Sequence, residues 1–169
     1  MKGRILTFLI LLAGLSSCFK EPDFALSPVI EYENYTSDIR LDAFLGATKD
    51  SVVVTLHFQD GDGDLGLDEE SKAIAQKTDD FNFIVRSFRK VSGQFEEYVP
   101  SFPYSGYFPQ LKLDEKPGPI EGTLSYSFPS FIHAFTPKKD TVKFEIQIKD
   151  RAGNISNAVE TDEIILNRL

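Results

Sequence analysis

The sequence predicts an all-β protein, an antiparallel β-sandwich of about seven strands, and three features carry that expectation. Val52, Val54, Leu56 and Phe58 alternate with Val53, Thr55, His57 and Gln59. Val142, Phe144, Ile146 and Ile148 alternate more cleanly still with Lys143, Glu145, Gln147 and Lys149. A period of two gives each segment one apolar and one more polar face, the signature of a half-buried antiparallel strand. The intervening stretches are rich in turn-forming residues, and only residues 68–77 offer a short helix.

Taken in order, residues 29–35 supply an opening strand and residues 52–58 the first strongly patterned one. Residues 81–91 and 94–99 flank Ser92-Gly93, a connection short enough for a hairpin. Leu124, Tyr126 and Phe128 mark a further strand. After the 142–149 strand, Asp150-Arg151-Ala152-Gly153-Asn154 forms a turn cluster, and a last strand runs to about Leu166. This final hairpin resembles the last two strands of bacterial immunoglobulin-like and fibronectin type III-like domains. The resemblance implies an immunoglobulin-like sandwich, although the Cys pair and Trp of antibody domains are missing, since the chain has one Cys and no Trp.

At the N-terminus, Lys2 and Arg4 precede an uncharged apolar run over residues 5–15, the architecture of a removable signal peptide. The run is too short for a spanning helix, which needs about 20 residues. Leu15-Ser16-Ser17-Cys18 follows at once and resembles the lipobox of bacterial lipoproteins. That resemblance implies cleavage after residue 17 and acylation of Cys18, anchoring the protein through lipid at about 0.8 kcal/mol per buried methylene. The expected organisation is a signal peptide over 1–17, a lipidated Cys and tether over 18–28, and the sandwich over 29–169. Cys18-Phe19-Lys20-Glu21-Pro22-Asp23 is similar to the acidic stretch of surface-exported lipoproteins of the Bacteroidota, which implies an outer-membrane protein exposed at the cell surface. An ordinary solvated linker accounts for the same residues equally well.

Cys18 is the only cysteine, so no disulfide forms within the monomer. Loss of Lys2 and Arg4 with the signal peptide leaves 16 basic residues against 26 acidic ones. Nucleic acid is therefore not an expected partner, because phosphate binding relies on clustered Lys and Arg. An acidic envelope protein instead attracts divalent cations.

The most chemically loaded segment is Asp60-Gly61-Asp62-Gly63-Asp64-Leu65-Gly66-Leu67-Asp68-Glu69-Glu70. Carboxylates at alternate positions suit calcium, while Gly61 and Gly63 permit tight curvature. The segment looks like Asp-rich calcium loops but is no EF-hand: Leu65 stands where that loop requires Gly, and Ser71 where it requires a bidentate Glu. A strand, and not a helix, precedes it. The expected ligands are Asp60, Asp62, Asp64 and Asp68, completed by Asp150 or Asn154 from the later turn, because a sandwich delivers both loops to the same end. The same residues also build an ordinary solvated turn. The segment from Phe58 resembles one recurring in uncharacterised Bacteroidota lipoproteins, which carries no activity with it.

No catalytic constellation is expected. The sequence has no Gly-x-Ser-x-Gly elbow, no His-Glu-x-x-His helix and no phosphate-binding Gly loop. His57 and His133 read as structural or solvated. Tyr98, Phe102, Tyr104, Tyr107 and Phe108 lie in a stretch with three prolines, which argues against a central strand. These rings form either a platform for a glycan or protein ligand, or a cover for the open end of the sandwich, the second being favoured. Asp50-Ser51-Val52 and Asp140-Thr141-Val142 resemble the Bacteroidota O-glycosylation acceptor, which implies sugar on Ser51 and Thr141 where loops enter strands. Two functions follow: a lipid-anchored, calcium-stabilised binding or structural module with an envelope partner, or a carbohydrate-binding or carbohydrate-active surface protein.

Overall fold

The computed structural model describes residues 22–114, 116–129 and 131–168. Cys18 and the signal peptide expected over residues 1–17 lie outside the described residues. Two antiparallel sheets form the sandwich. The first runs β1 (Val29–Asp42), β2 (Ala47–Asp60) and β5 (Ile120–Ser127), with β6 (Phe131–Ile132) beside the start of β2. The second runs β4 (Gln94–Glu97), β3 (Phe83–Val91) and β7 (Asp140–Ile148), with β8 (Val159–Glu160) and β9 (Ile164–Leu166) sharing the far side of β7. Among the described residues the strands number nine, with the first, second, fifth and sixth in one sheet and the third, fourth, seventh, eighth and ninth in the other, an all-β sandwich of two antiparallel sheets.

The alternation in β2 and β7 becomes a core. Val52, Val54, Leu56 and Phe58 face Val142, Phe144, Ile146 and Ile148 across the sandwich, all buried, while the intervening side chains are half-buried. Aromatic rings lock the sheets together: Phe83 stacks on Tyr126 at 3.7 Å between centroids, and Phe128 on Phe144 at 4.4 Å. The hairpin at Ser92-Gly93 forms as expected, both residues having positive φ (51° and 89°), as the twist-compatible two-residue turn requires.

Three elements differ from expectation. β1 continues to Asp42, well past Tyr35, because it pairs with β2 along its whole length. The turn after it is held by Asp42, whose carboxylate accepts the N–H groups of Phe44 and Leu45. β1 is an edge strand, and its exposed hydrogen-bonding groups are blunted from the opposite sheet. Asn157 bonds both the N–H and the C=O of Ile30, and Arg168 donates to the Ser37 carbonyl. The single last strand is instead two. Between Thr161, whose N–H donates to the Phe144 carbonyl, and Ile164, paired with Val142, the chain gains one residue on its partner, a bulge that splits β8 from β9. The two-residue β6 carries too short a pattern to read.

Candidate functional site

The ends of β2 and β7 meet at one pole. Leu65 forms a β-bridge with Asp150, and the Arg151 N–H donates to the Asp64 carbonyl, so the Asp-Gly loop lies directly against the 150–154 turn. One oxygen each from Asp60, Asp64 and Asp150 falls within 4.8 Å of the others. The helix α1 (Glu69–Ala75) follows the loop.

Each carboxylate in this group is held by backbone. The Asp64 N–H donates to Asp60 Oδ2 at 3.0 Å, and the Ala152 N–H to Asp64 Oδ2 at 2.9 Å. Asp150 accepts the backbone N–H of Asn154 at 2.7 Å and its side-chain amide at 2.8 Å. The remaining oxygens, Oδ1 of Asp60, Asp62 and Asp64, are buried and have no hydrogen-bond donor. Burial pushes the Asp60 carboxyl up to about 6, helped by the negative charge of Asp62. Asp64 is raised by burial and then by the charges of Asp150 and Asp62.

The loop's glycines are steric requirements here. Gly66 has φ +85°, and a Cβ on it would collide with the Pro109 carbonyl. A Cβ on Gly61 would meet the Phe24 carbonyl oxygen at 2.6 Å, because the Gly61 N–H donates to the Ala25 carbonyl and docks residues 24–25 on the loop.

Two of the expected ligands make local hydrogen bonds of their own. Asp68 is exposed and caps α1, accepting the Ser71 N–H at 2.7 Å, which holds its carboxyl below the ordinary range. An Asp directly before Glu69-Glu70, an acidic first turn, is a helix-start signal that identifies this role from sequence. Asn154 spends its side-chain N–H on Asp150 and acts as its brace.

The aromatic platform is mostly dismantled by packing. Residues 105–106 rejoin the edge of β3, with Gly106 and Phe83 exchanging both backbone hydrogen bonds. The stretch thus seals the open side between the sheets, from β3 to β5. Phe108 enters the core at 3 % exposure, its backbone clasped by the Asn82 side chain. Tyr104 packs edge-on against Phe128, Phe131 and Phe144, and Tyr107 tilts onto Phe81. Tyr98 lies under the Arg89 guanidinium at 4.4 Å. Phe102 alone of the five is largely exposed, at 78 %. Phe108→Ala is therefore expected to lose about 3 kcal/mol in urea denaturation, and Phe102→Ala less than about 0.5.

Phe102 instead borders a groove of about 690 Å³ at the opposite pole, shared with Arg89, Val99, Ile132 and Phe135. Ser51 and Thr141 are half-buried strand residues paired with Asp38 and Ile165. Ser51 lies well inside β2, and not at a loop entry, because the hairpin continues to Ala47. The Asp residues before them are buried, Asp50 against His133 and Asp140 against Arg89. His57 is bonded to Glu121.

Among the described residues, no helix is long and apolar enough to cross a membrane. Comparison with protein-family models, with curated proteins and with solved structures finds no match to this chain.

Proposed function

We propose that the chain is a lipid-anchored outer-membrane lipoprotein, exposed at the cell surface, whose sandwich is a non-catalytic binding or structural module. The observation that carries this reading is the polarity of the domain. The tether, which leads back to Cys18, docks at the pole of the Asp-Gly loop through Ala25 and Gly61. The groove and the exposed side chains of Phe44, Val99, Phe102 and Phe135 gather at the other pole, away from the anchor. Exposed apolar residues clustered beside a groove favour a contact surface. The partner on this reading is an envelope protein.

A second reading, carbohydrate binding, is favoured by the two freely exposed rings of Phe102 and Phe135 beside the groove. Pulldown from envelope extracts and a glycan array, each with native protein and with Phe102→Ala/Phe135→Ala, separate the two. Capture lost in the double variant supports the groove as the contact surface, and the ligand class follows from which assay responds.

The anchor has its own test. Cys18→Ser is expected to abolish incorporation of a labelled fatty acid and to shift the product out of the membrane fraction or leave it uncleaved. Persistent labelling of the Ser variant would remove the lipoprotein assignment.

A further inference from the structure

We propose that Asp60, Asp62, Asp64 and Asp150 form a calcium site that staples the end of β2 to the end of β7. The inference stands apart from the module's partner, since it concerns the opposite pole.

A turn built for its own sake explains only half of the hydrogen bonding. Asp60 commits one oxygen to the Asp64 N–H within the loop, and Asp64 commits one to the Ala152 N–H of the facing turn. Their second oxygens, and one of Asp62, remain buried without a donor. Asp60 is wholly buried, and one of its oxygens lies within 4.8 Å of those from Asp64 and Asp150. Buried carboxylate oxygens without donors are unfavourable unless something positive meets them. The only guanidinium in the loop pair, Arg151, donates to the Gly66 carbonyl. A cation between the carboxylates supplies the missing partner.

The donor set decides which cation. All four side chains are hard oxygen donors, with no His or Cys in the group, which selects against zinc, copper and other soft or borderline ions. The ligands come from two loops with irregular spacing, a cage that calcium accepts at six to eight oxygens and that magnesium, with its strict octahedron, fits poorly. The backbone bonds to Asp60, Asp64 and Asp150 hold the carboxylates in place before any ion arrives.

The test uses the purified protein freed of metal by chelator. Titration calorimetry with calcium chloride should show one saturable site, and terbium bound at the same place should be displaced by calcium. Millimolar calcium should raise the melting temperature by about 5–15 °C over chelator, with magnesium giving a much smaller shift. Asp62→Asn and Asp64→Asn, checked by circular dichroism for a native fold, should lose both binding and shift. Asp68→Asn should keep them. If the native protein shows neither calcium heat nor a calcium-dependent shift, the proposal is overturned. It is equally overturned if Asp68→Asn abolishes binding while Asp62→Asn and Asp64→Asn retain it.

Discussion

Replacing Phe144 by alanine is expected to destabilise the domain by about 3–5 kcal/mol, a large share of the about 5–15 kcal/mol that holds an ordinary protein folded. Phe144 is fully buried at the middle of β7 and points into the space between the sheets. Its ring stacks on Phe128 at 4.4 Å and receives the edge of Tyr104 at 5.6 Å, with Phe131 at 6.3 Å. These rings come from β6, β7 and the connections around them, so one truncation leaves a cavity bordered by several segments. Collapse into that cavity is resisted because β7 is paired on both sides, to β3 and to β8 and β9. Phe144→Leu, which refills part of the volume, should lose roughly half as much. Urea denaturation of both variants checks the ordering, and an alanine variant within about 1 kcal/mol of the native protein would contradict this packing.

The second large effect is expected at Asp50, through hydrogen bonding and not volume. Asp50 is fully buried on β2, where its Oδ2 accepts from His133 Nε2 at 2.9 Å and from the Asn167 N–H at 2.7 Å. Asn167 in turn donates its side-chain amide to the carbonyls of His133 and Thr136. One carboxylate therefore ties β2, the segment after β6 and the C-terminal end of the chain into one network. Asp50→Ala strands two buried donors, and a loss of about 3 kcal/mol is expected. Asp50→Asn keeps a carbonyl acceptor and should lose less. A double-mutant cycle with His133→Ala checks the assignment: coupling of about 1–3 kcal/mol is expected, and strict additivity would show that the two side chains act independently.

Neither Asp50 nor His133 signals this pairing locally. They are 83 positions apart, and each reads alone as a polar residue beside a strand. The same applies to the aromatic stretch, where Tyr104, Phe108 and Phe102 are equivalent in composition but end in the sheet interface, the core and solvent. Gly106 decides part of this. It permits the backbone to approach Tyr126, whose hydroxyl donates to the Tyr104 carbonyl at 3.1 Å.

By itself the sequence determined the all-β class, the β2 and β7 core faces, the Ser92-Gly93 hairpin and the meeting of the two Asp-bearing loops. Each rests on periodicity, on turn stereochemistry or on the alternating direction of sandwich strands, and these act over short range or follow from strand order. Tertiary structure alone decided the length of β1, whose mostly exposed side chains leave no apolar alternation to read although β2 pairs with it throughout. It also decided which carboxylates share one small volume. Those outcomes depend on where backbone N–H groups of distant segments arrive, and pairing across space leaves no periodic trace along the chain.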